Sequence, residues 1–334
     1  MLARWTPTVE LGGAMTEDRM HVRVKRISYE AETINAYELT APGGGELEPF
    51  TAGSHIDLHL PNGMIRSYSL LNDPRERSRY VVAVNKDIAG RGGSRFVHET
   101  IRVGDIVPIS QPKNNFALRE NAAHSVLIAG GIGITPLLSM IRRLDALAAS
   151  WELVYAARTR SAAAFLDDLS ALRATSGAKL QLHFDQENSG RCLDLAAVVK
   201  SAPANADLYC CGPLPMLESF EAATADRPAD RVHVEYFKPK EQPAADGGFD
   251  VKLARTGRTI PVPAGETILD ALLKAGIAVS YACMEGVCGT CETRIVEGLP
   301  DHRDAFLSKD EQAAGTTMMI CCSGSKSPTL ILDL

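Results

Sequence analysis

The chain has 334 residues, 45% hydrophobic and 23% charged, with a formal net charge of −6, which describes a globular protein long enough for two or three separate cores. The acidic balance argues against a nucleic-acid partner. Its eight cysteines do not space as a secreted disulfide framework, which fits a reducing cytoplasm.

Residues 1–18, with Pro7, Gly12 and Gly13 and no periodic pattern, read as a flexible tail. They contain no apolar targeting segment, and Met15 and Met20 are further candidate starts. Short strands follow at His21 to Ile27, Ala36 to Thr40, His55 to Leu60, Ile65 to Leu70 and Tyr80 to Asn85, separated by turns such as Pro61-Asn62-Gly63. This spacing predicts a small antiparallel β-barrel. Within it, Arg66-Ser67-Tyr68-Ser69-Leu70 could offer a cation, a ring and hydroxyls to a phosphorylated heterocycle, or be an ordinary half-exposed strand. Gly90-Arg91-Gly92-Gly93-Ser94 precedes a short helix over Arg95 to Ile101, with Ser94 expected as its N-cap. A glycine turn leading into a helix N-terminus is an anion site.

The period then changes. His124 to Ala129 reads as an apolar strand, Gly130 to Pro136 as a tight glycine loop, and Leu137 to Ala148 as an amphipathic helix. The uncharged run Ser125 to Ile141 is nearly membrane-length, yet its glycines and proline favour a buried strand, loop and helix. The loop is not the G-x-G-x-x-G dinucleotide fingerprint, but the same order of elements can cradle a pyrophosphate. Strands at Trp151 to Ala157, Leu180 to Asp185 and Asp207 to Cys211 alternate with helices at Ala163 to Leu172 and Leu193 to Lys200. The pattern predicts an α/β parallel sheet with ligand at the carboxyl ends of its strands. Three loops converge there: Gly130 to Pro136, Arg158 to Arg160, and Cys211-Gly212-Pro213. Asp185 could touch a ribose, whereas Arg158 and Arg160 could meet a 2′-phosphate or a pyrophosphate, or lie in solvent.

Lys238 to Gly248 carries the prolines, glycines and charges of an exposed linker. Beyond it, a hairpin at Asp250 to Ala254 and Thr259 to Val262 and a helix over Thr267 to Ala275 lead to Cys283, Cys288 and Cys291. These three form a C-x4-C-x2-C run, and Cys321 follows 29 residues later. That is the plant-type spacing for a [2Fe-2S] cluster; structural zinc would usually show paired short spacings. Cys322 adjoins Cys321, but the spacing favours Cys321 and makes Cys322 a small buried residue. Asp301, Asp304, Glu285 and Glu292 are candidates for an acidic docking rim, or for a merely solvated face.

Taken with Cys210-Cys211-Gly212-Pro213 and Asp301-His302-Arg303-Asp304, these motifs in this order resemble the phthalate dioxygenase reductase family, including its vanillate demethylase type. The resemblance implies an FMN-binding β-barrel over residues 19–120, an NAD-binding α/β domain over 121–237, a linker over 238–248, and an α+β, β-grasp ferredoxin over 249–334. It also implies FMN rather than FAD, with Arg66 and Gly92, Gly93 and Ser94 at the FMN phosphate, Tyr68 against the ring and Ser69 near its N5. Ser67, Val84 and Lys86 join them as flavin candidates. Thr135 and the Cys211-Gly212-Pro213 loop would border the nicotinamide, with Gly131, Pro136, Arg158, Asp185 and Phe237 as further NAD candidates. Hydride arrives as two electrons while a cluster accepts one, so a flavin must hold the second between transfers. The implied function is the NADH-dependent reductase component of a two-component, Rieske-type aromatic oxygenase or O-demethylase. No residue is assigned as a general acid or base. The chain is expected to be a cytoplasmic monomer without membrane contact. The alternatives are an FAD-containing reductase of a diiron monooxygenase and a non-catalytic iron–sulfur carrier or sensor.

Overall fold

The computed structural model describes residues 19–334, so the tail expected over residues 1–18 lies outside the described residues. The chain divides into two compact units, one running to Phe237 and the other from Lys238 to Leu334.

The first unit opens with β1 (Met20–Ala31), β2 (Ile34–Thr40), β3 (His55–His59), β4 (Ile65–Ser69), β5 (Tyr80–Asn85), α1 (Gly93–Thr100) and β6 (Ile106–Ile109). Every strand pairing is antiparallel, in the order β4-β3-β6-β1-β2-β5. A bridge between Leu70 and Val82 joins the two edges into a barrel. Alternation points Val22 and Val24 of β1, and Tyr80, Val82 and Val84 of β5, into its core. β1 and β2 are longer than their hydrophobic pattern suggested. The turn between them is a two-residue hairpin, Glu32-Thr33, with Thr33 at φ 63° and no glycine or proline to mark it.

The same unit continues with β7 (Ser125–Gly130), α2 (Ile134–Ala146), β8 (Trp151–Ala157), α3 (Leu166–Ser176), β9 (Lys179–Phe184), α4 (Leu195–Ser201), β10 (Asp207–Cys211), α5 (Leu214–Ala223) and β11 (Val232–Glu235). The sheet is wholly parallel, ordered β11-β10-β7-β8-β9. Successive residues of β7 face opposite sides. Leu127 and Ala129 pack with α2 and α3, whereas Val126 and Ile128 pack with α4 and α5. Each fully buried aliphatic side chain contributes about 1.5–3 kcal/mol, which explains the run from Ser125 to Ile141 as core. No helix among the described residues is long and apolar enough to cross a membrane.

The second unit contains β12 (Phe249–Leu253), β13 (Thr259–Val262), α6 (Ile268–Lys274), β14 (Glu292–Glu297), β15 (Pro300–Asp301), α7 (Lys309–Ala314), β16 (Thr317–Met319), β17 (Gly324–Ser325) and β18 (Thr329–Leu332). Its sheet runs β13-β12-β18-β14-β16, with β12 and β18 parallel. α6 buries Ile268, Leu269 and Leu272 in the core that also holds Val251, Ile295 and Leu330, a β-grasp arrangement. The stretch expected to be an exposed linker has most of its side chains in solvent, and its main chain is also tied to this unit. Ala244 N–H donates to the Cys322 carbonyl (2.8 Å), Gly248 N–H to the Val262 carbonyl (2.8 Å), and Glu241 pairs with Arg303 (2.9 Å).

Candidate functional site

The barrel builds one corner from β4 and α1. α1 begins at Gly93, and its N-cap is Gly92 at φ 88°, a conformation that suits glycine. Ser94 is therefore not the N-cap: it lies in the first turn, where its hydroxyl accepts from the Asp87 N–H at 3.0 Å. Gly93 leaves the space that the Arg66 side chain fills. A Cβ there would come within 2.3 Å of Arg66 Nε, so the guanidinium lies directly against the helix N-terminus. A cation beside backbone N–H donors at a helix start fits a flavin phosphate.

Along β4, alternation places Arg66 and Tyr68 on one face and Ser67 and Ser69 on the other. The Ser67 hydroxyl donates to Asp57 Oδ1 (2.5 Å), and Lys113 holds Oδ2 of the same buried carboxylate (3.1 Å). Burial pushes the Tyr68 phenol up, so it stays protonated. Val84 points into the barrel core, and its carbonyl lies 2.8 Å from His98 Nε2. Lys86 is ion-paired with Glu99 of α1 (2.9 Å).

A second corner forms where β7 and β10 end side by side. A 3-10 turn, Gly131–Gly133, leads into α2 without a side-chain cap, and it packs against β5 of the barrel. Thr135 and Pro136 are buried in the first turn of α2, and the Thr135 hydroxyl donates to the Ile132 carbonyl (2.9 Å). A Cβ on Gly133 would lie 2.1 Å from the Cys211 carbonyl oxygen, and one on Gly130 would lie 2.6 Å from Pro213 Cδ. These glycines let the Cys211-Gly212-Pro213 loop close onto the turn. Gly131, at φ 54°, has nothing within 4 Å of a Cβ position and faces open space. Arg158 follows β8 and is exposed, Asp185 follows β9, and Phe237, just beyond β11, packs half-buried against the core. The NAD candidates thus lie at the carboxyl ends of all five parallel strands.

One residue there was missed by sequence reasoning. Glu235, half-buried on β11, sits opposite Cys211, whose thiol lies 3.9 Å from Glu235 Oε2. Burial pushes the Glu235 carboxyl up to about 8, and the thiol's hydrogen bond offsets only part of that shift. Burial likewise raises the Cys211 thiol well above its ordinary range, with the charge of Glu235 adding to it. The only local signal was the alternation of Val232-His233-Val234-Glu235, too short to call a strand.

In the second unit, Cys283, Cys288, Cys291 and Cys321 are all buried and in no disulfide. Glu285 N–H donates to the Cys283 sulfur at 3.3 Å, as a loop wrapping a thiolate-bound cluster requires. Gly286 (φ 67°) and Gly289 (φ 77°) have both the conformation and the closeness that exclude a side chain. A Cβ would lie 2.4 Å from Cys322 Sγ at the first, and 2.4 Å from the Phe306 ring at the second. Cys322 is fully buried against Gly286, with its thiol directed to the Met319 carbonyl. Among the described residues no group of three His, Cys, Asp or Glu side chains is arranged to hold a single metal ion. The fit to a cluster rests on the thiol spacing, the burial and the inward N–H group. The docking rim loses one member: Asp304 is buried and accepts from the N–H groups of Phe306 (3.2 Å) and Leu307 (2.7 Å). Asp301 is paired with Arg303 at 2.8 Å.

Comparison with known proteins agrees with this division of labour. Residues 251–325 match a 2Fe-2S iron-sulfur cluster binding domain, and residues 127–222 an oxidoreductase NAD-binding domain. The phenoxybenzoate dioxygenase subunit beta of Ectopseudomonas oleovorans is 53% identical, over 97% of this chain and 100% of its own length. The tetrachlorobenzoquinone reductase of Sphingobium chlorophenolicum is 51% identical, over 93% and 97%. The phthalate dioxygenase reductase of Burkholderia cepacia is 40% identical, over 94% and 97%. A solved structure of phthalate dioxygenase reductase superposes with a TM-score of 0.75 at 37% identity, covering 95% of this chain and 98% of that one.

Proposed function

The chain belongs to the phthalate dioxygenase reductase family, and from that premise we propose the residue roles and the partner through which it works. It is an NADH-dependent oxidoreductase of the kind that serves aromatic dioxygenase and demethylase systems, with FMN and a [2Fe-2S] cluster as its cofactors. When bound, the flavin accepts a hydride and the cluster carries electrons onward singly. The chain's own contribution is to bind and orient, without a proton-transfer step.

In this reading the Arg66 guanidinium and the first N–H groups of α1 hold the FMN phosphate, and Tyr68 shields the ring. The uncapped start of α2 binds the dinucleotide pyrophosphate. The Cys211-Gly212-Pro213 loop brings the nicotinamide up to the flavin, and Cys283, Cys288, Cys291 and Cys321 hold the cluster. The observation that carries the reading is that both anion cradles flank one strand: α1 and the Gly131–Gly133 turn each pack on β5. The acceptor is a Rieske-type terminal oxygenase, and the protein works as a cytoplasmic monomer.

Anaerobic addition of NADH to the purified protein tests this. Flavin absorbance should fall and the cluster should bleach. A protein that carries a cluster but no flavin and ignores NADH would leave only the carrier or sensor alternative. Released flavin that proved to be FAD would favour the diiron monooxygenase reductase instead.

A further inference from the structure

Resting on that reading, we propose that Glu187 selects NADH over NADPH by holding Arg160 away from a 2′-phosphate. In a strand–loop–helix–strand unit the adenosine ribose lies beyond the second strand, and an arginine there is what accommodates a 2′-phosphate. The second strand here is β8, and Arg158 and Arg160 follow it directly. Arg160 is already engaged. Its Nε and Nη2 donate to the two carboxylate oxygens of Glu187 at 3.2 and 3.3 Å, and its guanidinium carbon lies 4.4 Å from the Phe184 ring centroid. The two-point grip and the stack fix the plane of the fork and occupy an edge that a phosphate would need.

The grip is built into the sheet. Asp185 N–H donates to the Ala157 carbonyl (3.0 Å) and Gln186 N–H to the Arg158 carbonyl (3.1 Å), so the chain beyond β9 runs beside the chain beyond β8. That keeps Glu187 in register with Arg160. An incoming 2′-phosphate must displace the Glu187 carboxylate to reach Arg160, whereas the 2′-hydroxyl of NADH carries no charge to be repelled. The pair is open to solvent, with side chains 59% and 52% exposed, so the device grades the preference without making it absolute.

The test compares the full-length holoprotein, Glu187→Gln, and Glu187→Gln combined with Arg160→Ala. It measures kcat and KM for NADH and NADPH with cytochrome c as acceptor, and calorimetric Kd values for NAD+ and NADP+. The unsubstituted protein should favour NADH at least about tenfold. Glu187→Gln should raise kcat/KM for NADPH about two- to fivefold, through KM and with a matching gain in NADP+ affinity. Adding Arg160→Ala should cancel that gain, because the two substitutions are coupled through one contact. Equal use of both dinucleotides by the unsubstituted protein would overturn the inference and leave the reductase reading standing. So would an unchanged preference in Glu187→Gln, or a gain that survives Arg160→Ala and so belongs to Arg158. Oxidation of neither dinucleotide would sink the reading and the inference together.

Discussion

Two glycine and carboxylate positions show how much of this protein turns on single side chains. Gly93 leaves room for the Arg66 guanidinium at the start of α1. Gly93→Ala should push the guanidinium off the start of α1 and weaken FMN binding about tenfold or more, the scale of one lost charge-assisted hydrogen bond; fluorescence of flavin released on dilution measures it. Glu235 makes a pH prediction whose sign follows from its shift. Its ordinary value of 4.5 rises to about 8 in the fold, so the folded state keeps a proton that the unfolded chain gives up. The resulting stability is fully present below pH 4.5 and is lost as pH rises through 8. The melting temperature of the native protein should therefore fall across that window relative to Glu235→Gln, and parallel melting profiles for the two would refute it. The candidate cysteine ligands were legible because their spacing is a covalent property of the chain. Glu235 was not, because its partner Cys211 lies 24 residues away and meets it only through the β10–β11 pairing. Ser94 misled for a related reason: serine is a good N-cap by type, but the left-handed Gly92 had already ended the turn.

At the scale of elements, periodicity located β1 to β5 of the barrel and β7 to β10 of the parallel sheet with α2, α3 and α4 between them, their ends displaced by a few residues, but not β6, α5 or β11. What it missed was short or set by tertiary contact. β11 is four residues and gains its place by pairing with β10. The last helix of the sequence pattern shows the opposite case. α6 carries a capping box in which the Thr267 hydroxyl accepts from Asp270 N–H (3.1 Å) and the Asp270 carboxylate accepts from Thr267 N–H (3.1 Å). Thr267→Ala should lower stability by about 1 kcal/mol, within the range for lost N-caps, read as a shift in the denaturant midpoint of cluster absorbance with an unchanged slope. A midpoint that did not move would mean that burial of Ile268, Leu269 and Leu272 alone decides whether α6 forms.

For the molecule as a whole, two compact units imply two cooperative transitions. Cluster absorbance should report the unit from Lys238 onward, and the far-ultraviolet signal of the parallel sheet should report the other. Calorimetry that gave one transition coincident in both probes would contradict this. The stretch Lys238–Gly248 then acquires a mechanical meaning. By composition it is an exposed linker; it is also laid down along the second unit, and one of its main-chain bonds ends on Cys322, next to the candidate ligand Cys321. Tension on the joint, or a protease cut within it, would therefore be felt at Cys322, beside the candidate ligand Cys321.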